Sequence, residues 1–214
     1  MDRLIRKGAE ANLYLVTLYG RDIVVKERIR KSYRVDQLDQ KIRSYRTVHE
    51  AQMIHEAKKA GVSTPVIYLI DEPGCKIMME HLQGPRLKEE LATASPSRRK
   101  SICYFVGNSI GRLHRNQIIH GDLTTSNMIL TDEEKVSFID FGLSFQSNEI
   151  EDKGVDIHLV KRALDSTHYA YAEPCFRSIL VGYETAVGAR EAQQALLRAK
   201  EIERRGRYFA ERQV

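Results

Sequence analysis

No stretch of the sequence approaches the roughly 18 consecutive apolar residues that a membrane-spanning helix requires. The first residues, Met1 to Lys7, also lack the apolar segment of a signal peptide. Only three cysteines are present, Cys75, Cys103 and Cys175, and no two of them form a C-x-x-C pair. This odd and widely spaced set argues against a disulfide framework or a zinc site. We therefore expect buried, reduced thiols in a cytoplasmic protein with no membrane contact.

An acidic balance is absent too, because the formal net charge is +5 and the isoelectric point is about 9.1. With 42% hydrophobic and 29% charged residues, the 214-residue chain has the composition of a soluble globular protein of one or two compact units. Residues 26–46 hold eight Lys or Arg against three acids, a local excess as large as that of the whole chain. Such a basic segment suits a polyanion such as RNA, and a solvated helix face explains it equally well.

The most informative stretch runs from residue 118 to residue 142. Two apolar runs with strand character flank a polar turn, and Asp122, Asn127 and Asp140 stand around them. Carboxylate and amide oxygens are ligands that Mg²⁺ prefers. With His120 and Gly142 in register, the stretch matches the protein-kinase pattern H-x-D-x-x-x-x-N followed by D-F-G. The alternative is a surface hairpin with scattered acids, which does not account for five residues in register.

Upstream, the patterns predict strand, strand, strand, helix, strand, strand over the first 83 residues. Lys26 closes an apolar run, as the strand lysine of V-A-I-K does in kinases. In the helix predicted for residues 35–60, Glu50 shares a face with Met53 and other apolar residues, whereas Glu56 points elsewhere. An inward glutamate needs a partner, and Lys26 is the natural one. Met53 also excludes a zinc motif H-E-x-x-H beginning at His49.

Two segments of this first part match nucleotide-binding features of kinases. The turn Gly8-Ala9-Glu10-Ala11 corresponds to the phosphate loop, but Glu10 and Leu13 stand where G-x-G-x-x-G has glycines. We expect either looser nucleotide binding or a different closing element, such as the basic C-terminal tail. By analogy with the kinase hinge, the backbone groups of Glu80 and Leu82 are expected to bind an adenine edge.

The second part of the chain is predicted to be helical. Ser95-Pro96 begins a helix that leads into the stretch around Asp122, with His114 in a packing rather than a catalytic role. Only thirteen residues, 143 to 155, separate D-F-G from Asp156, and no A-P-E follows. Breaks are expected near Gly182 and Gly188, and the basic residues 204–212 are predicted to form a mobile tail.

Together these motifs resemble one family, the small atypical kinases of the KEOPS complex, known as the PRPK family. The resemblance rests on Gly8 to Ala11, Val25-Lys26 with Arg30 to Arg34, Ile119 to Asp122, Asp140 to Leu143, and Val155-Asp156. It implies an α+β, two-lobed protein-kinase-like fold with a small β-rich N-lobe, residues 1–83, and a reduced helical C-lobe, residues 84–214. It also implies ATP and Mg²⁺ as cofactors, and Asp156 as the brace of the catalytic loop.

The roles of the site residues follow the kinase pattern. Lys26, held by Glu50, is expected to contact the α- and β-phosphates, while Asn127 and Asp140 hold Mg²⁺. Asp122 is expected to accept a proton from the attacking hydroxyl, or to orient a water in hydrolysis. The resemblance further implies a Kae1-type subunit and other KEOPS subunits as partners, and a role in making threonylcarbamoyladenosine in tRNA. The basic segment 26–46 and the tail are the expected tRNA contacts.

One departure from kinases concerns control. Gly121 replaces the arginine of H-R-D, which normally pairs with a phosphorylated activation loop. Since that loop is also short, we expect control by a partner subunit and weak protein kinase activity of the isolated chain. Two alternatives are a RIO-type or small-molecule phosphotransferase on the same fold, and a nucleotide-sensing or RNA-binding scaffold without catalysis.

Overall fold

The computed structural model describes residues 3–131 and 135–211, except for the side chains of residues 206–211. The polar turn of the 118–142 stretch and Arg212 of the predicted tail therefore lie outside the described residues. The fold is α+β, with an N-terminal antiparallel sheet followed by a helical part, as the sequence predicts. Within the described residues, no helix combines the length and apolar character needed to span a membrane.

The sheet has five antiparallel strands in the order β1-β2-β3-β5-β4. The strands are β1 (Arg3–Lys7), β2 (Ala11–Leu18), β3 (Arg21–Arg28), β4 (Ile67–Asp71) and β5 (Lys76–Glu80). Tyr19 and Gly20 both have positive φ angles, 50° and 75°, which is the geometry of the two-residue hairpin turn between β2 and β3. In register, Lys26 of β3 lies opposite Leu13 of β2 and Ile77 of β5.

Helix α1 (Asp36–Lys59) connects β3 to β4 and turns its predicted face inward. Met53 and Ile54 are buried, and so is Glu50 on the same face. Just past the end of the helix, Gly61 has a φ of 79°, which is readily adopted only by glycine, and the Val62 amide donates to the Ala57 carbonyl. This ending fixes where the chain leaves α1 for the sheet.

The helical part contains α2 (Leu87–Thr93), α3 (Pro96–Arg115), α4 (Ile150–Thr167), α5 (Ala172–Val187) and α6 (Ala189–Glu211). Two small strand pairs lie among these helices: β6 (Ile118–Ile119) with β9 (Phe145–Gln146), and β7 (Met128–Leu130) with β8 (Val136–Phe138). The main hydrophobic core lies here and extends to the inner face of α1. All three cysteines are buried and free of disulfides, as predicted.

One prediction for the C-terminal part is wrong. Helix α5 runs unbroken through Gly182, and only Gly188, with φ of 89°, ends it. Gly182 instead allows α5 to approach α3, because a Cβ there would lie 1.9 Å from the Tyr104 carbonyl oxygen. The backbone of the tail is helical up to Glu211, and Arg205 lies 3.0 Å from Glu151 of α4; its mobility stays a prediction.

Candidate active site

A cavity of about 530 Å³ lies between the sheet and the helical part. Every residue that the sequence predicts for nucleotide, metal or catalysis lines it: Gly8, Ala9, Glu10, Ala11, Lys26, Glu50, Glu80, Leu82, Asp122, Asn127 and Asp140. Apolar side chains that the sequence did not single out form part of the wall, among them Val24, Met79, Ile129 and Ile139. The chain thus brings distant motifs together in one cavity of the size that ligands occupy.

Lys26 stands between two carboxylates. Its Nζ lies 2.6 Å from Oε1 of Glu50 and 2.7 Å from Oδ1 of Asp140. Burial lowers the pKa of Lys26, but the two carboxylates outweigh it and hold the pKa above its ordinary value. Burial likewise raises the pKa of Asp140, and Lys26 outweighs it, so that pKa lies below its ordinary value. Both groups are therefore charged at neutral pH.

Helical periodicity correctly separated the two candidate glutamates of α1. Glu50 is 1% exposed and bonded to Lys26, whereas Glu56 pairs with Lys59 at the surface. Glu50 also has a second cationic partner that the sequence analysis did not identify. Nη2 of Arg28 lies 2.5 Å from Oε2 of Glu50. Arg28 follows Lys26 by two residues on β3, so the two side chains leave the strand on the same face. That spacing was the available signal.

The loop around Asp122 is held by a buried carboxylate. Asp156 of α4 accepts hydrogen bonds from the backbone amides of His120, at 2.7 Å, and Gly121, at 2.9 Å. His114 adds a 3.2 Å contact to Asp156 and lies 2.8 Å from the Tyr183 hydroxyl, which is the predicted packing role. Asp156 therefore braces the loop, as the resemblance implies.

Within this loop, Asn127 and Asp122 are directly joined. Nδ2 of Asn127 donates to Oδ2 of Asp122 at 2.8 Å and to its carbonyl oxygen at 3.1 Å. This use of the amide nitrogen leaves Oδ1 of Asn127 as the atom that can bind a cation. Asp140, the other predicted metal ligand, lines the same cavity.

The backbone around position 121 explains why glycine occupies it. Its φ is 77°, and a Cβ there would lie 2.6 Å from the Leu143 carbonyl oxygen. An arginine at this position would meet the same contact and would carry the cost of a left-handed backbone. The close approach of the segment after D-F-G therefore requires glycine where kinases have arginine.

The turn that replaces the phosphate loop is tied to its surroundings. The Gly8 amide donates to the Ala11 carbonyl at 3.1 Å, which closes the turn. Glu10 at its tip lies 3.1 Å from Arg46 of α1 and 3.5 Å from Lys31, whose ammonium also donates to the Ala9 carbonyl. Among the α6 side chains that the structure describes, up to Arg205, none lines the cavity, and most of the predicted tail, residues 206–212, lies outside the described side chains. Of this cluster, Glu10 and Arg46 line the cavity.

The basic segment 26–46 is less free than its composition indicates. Seven of its eight cations have a carboxylate within 4 Å. Asp39, which is 1% exposed, holds both Arg34 and Arg43. Much of the local positive charge is therefore used to fix the segment itself.

Comparison with known proteins agrees with this geometry. The protein kinase domain family matches residues 3–170. The chain is 45% identical to KEOPS complex subunit Bud32 of Pyrococcus abyssi, over 96% of both chains. It is 44% identical to EKC/KEOPS complex subunit bud32 of Dictyostelium discoideum, over 85% of this chain and 74% of that protein.

A longer relative is the probable bifunctional tRNA threonylcarbamoyladenosine biosynthesis protein of Methanothermobacter thermautotrophicus, which is 45% identical over 96% of this chain. The chain covers only 36% of that protein's length. Since the match to the two Bud32 proteins extends over most of both partners, the family assignment does not depend on this longer protein. The chain belongs to the Bud32 family of proteins with a protein kinase domain.

Proposed function

We propose that the protein is the ATP-dependent kinase or ATPase subunit of a KEOPS complex and supports threonylcarbamoyladenosine formation in tRNA. The observation that carries the proposal is the convergence of Lys26, Glu50 and Asp140 with the Asp122–Asn127 pair on one cavity. The names of the relatives, KEOPS complex subunit Bud32 and tRNA threonylcarbamoyladenosine biosynthesis protein, support the assignment to this complex.

The cavity suits ATP and Mg²⁺. Val24, Met79 and Ile129 supply apolar walls for a base, and Glu80 and Leu82 supply backbone groups at the cavity edge. The Glu80 amide already donates to the Val66 carbonyl at 2.9 Å, so its own carbonyl is the group left for an adenine edge. Carboxylate and amide oxygens are the hard donors that Mg²⁺ prefers. We assign them to Asp140 and Asn127.

Bound Mg²⁺ would neutralise charge on the transferred phosphoryl group, and the side chains supply the rest. Lys26, charged and fixed by Glu50, contacts the α- and β-phosphates. Asp122, oriented by the amide of Asn127, accepts the proton of an attacking hydroxyl or orients a water. The Asp156 brace keeps the backbone before Asp122 in place, so the base does not need to be ordered during the reaction.

The division of labour follows from the same features. We assign residues 1–83 to a nucleotide-binding lobe and residues 84–214 to a lobe that carries the catalytic loop. The short segment after D-F-G offers little platform for a peptide, so the chain alone is a weak protein kinase. A Kae1-type subunit in the cytoplasm is the partner that raises its ATP turnover. The basic segment 26–46 contributes to tRNA contact mainly through charge that Asp39 and Glu10 do not neutralise.

The deciding experiment is release of labelled phosphate from Mg·ATP by the wild type and by Asp122→Ala. Each is measured alone and with a Kae1-type partner plus tRNA. We expect turnover that rises with the partner and falls at least about a hundredfold in the variant, as for loss of a general base. Absence of turnover in every wild-type condition would refute catalysis and leave a scaffold role. Efficient phosphorylation of peptides by the chain alone would refute partner dependence.

A further inference from the structure

Glu50 carries two cations rather than one. Oε1 contacts Lys26 at 2.6 Å and Oε2 contacts Arg28 at 2.5 Å, so each carboxylate oxygen has its own charged partner. Glu50 is 1% exposed and Arg28 is 7% exposed, so the second pair is as enclosed as the first. Arg28 also lines the cavity together with Lys26 and Glu50.

Arg28 joins three elements at this point. Nη2 donates both to Glu50 and, at 3.3 Å, to the Arg46 carbonyl one helical turn earlier, so β3 holds a full turn of α1. A Cβ added to Gly142 would lie 3.4 Å from the same Nη2 and 3.4 Å from Oδ1 of Asp140. The guanidinium therefore lies where the strand, the helix and the D-F-G segment meet.

Stability alone does not explain a buried arginine here. Its Nε has no hydrogen-bond partner among the described residues, and a buried donor left unsatisfied is costly. A buried ion pair is also weak evidence of stabilisation, because desolvation offsets much of its attraction. The arrangement does have one strong consequence. If α1 moved outward with Glu50, Arg28 would be left buried without a carboxylate, and that state is strongly disfavoured.

We propose that Arg28 is a positioning residue that keeps α1 inward, and so keeps Glu50 on Lys26, without any loop phosphorylation. The inference rests on the proposed phosphotransferase or ATPase function. It accounts for a site that is assembled although Gly121 replaces the arginine of H-R-D and the segment after D-F-G is short. His49, next to Glu50, adds a second tie, since its Nε2 lies 2.8 Å from the Ser144 carbonyl oxygen.

The test compares Arg28→Met and Arg28→Lys with a matched control, Lys153→Met. Lys153 is 8% exposed and pairs with Glu191 at 2.5 Å, but it lies in the helical part and does not line the cavity. The measurements are amide hydrogen exchange across residues 44–54 and steady-state ATP turnover of the full chain with its partner. The unfolding temperature of each variant is measured first, and all assays are run below it.

In Arg28→Met we expect exchange around Glu50 to accelerate about tenfold, because α1 opens more often. We expect kcat to fall about tenfold while KM for ATP changes less than about threefold, because the lost contact orders the site rather than binding the base. Arg28→Lys should restore most of kcat, since it returns a cation to Glu50. Lys153→Met should lower thermal stability without changing either readout.

Wild-type exchange and kcat in Arg28→Met would overturn the proposal. So would losses in Arg28→Met that Lys153→Met reproduces at equal destabilisation. If the wild type turns over no ATP under any condition, the proposed function fails, and exchange across residues 44–54 still decides the role of Arg28.

Discussion

Oε2 of Glu10, at the tip of the β1–β2 turn, lies 3.1 Å from Nη1 of Arg46 on α1. Both side chains are about half exposed, so the pair adds little to stability. Its position matters more, because both residues line the cavity in which the phosphates of ATP are expected. The Glu10 carboxylate repels a phosphate group in this cavity, and it also pairs with Arg46, which could otherwise bind the phosphate.

We therefore predict that Glu10→Gln lowers KM for ATP about threefold at low ionic strength, with the difference fading at high salt. The measurement is a KM titration at two salt concentrations. Glu27→Gln is the control, because Glu27 also pairs with a lysine, Lys76 at 3.2 Å, but does not line the cavity. A higher KM in Glu10→Gln would mean that the Glu10–Arg46 pair helps to hold ATP in the cavity instead of competing with it.

A second prediction concerns Gly121. A Cβ at this position would meet both a positive φ and the Leu143 carbonyl oxygen at 2.6 Å, whereas a Cβ on Gly20, with φ of 75°, would meet nothing within 4 Å. Gly20→Ala should therefore cost only the backbone term, about 1 kcal/mol, and Gly121→Ala about 2–3 kcal/mol. Urea unfolding of both variants measures the difference. Equal losses of unfolding free energy in the two variants would show that the segment after D-F-G shifts away from a Cβ at position 121 at no cost.

The residues of the site differ in how far the sequence could predict them. Lys26, Asp122, Asn127 and Asp140 were found because kinase motifs have fixed local spacing, and Glu50 because helical periodicity selects one face. Arg28 was not found, since its role depends on which strand residue meets α1 after folding. The two-residue spacing places Arg28 on the face of β3 that carries Lys26, but it does not indicate that Glu50 of α1 lies against that face.

Gly182 and Gly188 illustrate the same limit for the fold. Both look like helix breaks in sequence, but Gly182 lies against the Tyr104 carbonyl of α3 and continues the helix. Only Gly188 adopts a positive φ and ends α5. Whether a glycine serves close packing or a turn depends on the neighbouring helix, which local propensity does not specify. Strand and turn positions in the sheet were predictable because alternation and turn residues are local.

Stability should fall in mild acid because of two buried histidines, His120 and His168, and the partly buried His158. Burial holds the pKa values of His120, His158 and His168 below the ordinary 6.5. As the pH falls below 6.5, the unfolded chain therefore binds more protons than the folded one. The free energy of unfolding decreases until the pH reaches the lower pKa values of the folded state. The stabilisation from neutral histidine is complete above 6.5. For fully buried His120 the slope can reach about 1.4 kcal/mol per pH unit.

Urea unfolding at pH 7.5 and pH 5.5 tests this, with His168→Gln as the variant. His168 is 3% exposed and contacts the hydroxyls of Thr125 and Tyr171, both at 3.1 Å, without lining the cavity. We expect the wild type to lose at least about 1 kcal/mol between the two pH values, and the variant to lose less. Equal stability at both pH values would contradict the prediction.

Asp156 should be the most sensitive position outside the cavity. It is fully buried, and its two oxygens accept the amides of His120 and Gly121. Asp156→Ala leaves the buried His120 amide and the partly buried Gly121 amide without this partner, at about 1–3 kcal/mol each, so we expect the free energy of unfolding to fall by about 2–6 kcal/mol. Asp152→Asn, one turn earlier on α4, removes a carboxylate whose hydrogen bond among the described residues comes from the partly buried Ser147 hydroxyl, and it should cost less than about 1 kcal/mol. Urea unfolding compares the two, and similar losses would show that the loop around Asp122 holds its shape without the Asp156 carboxylate.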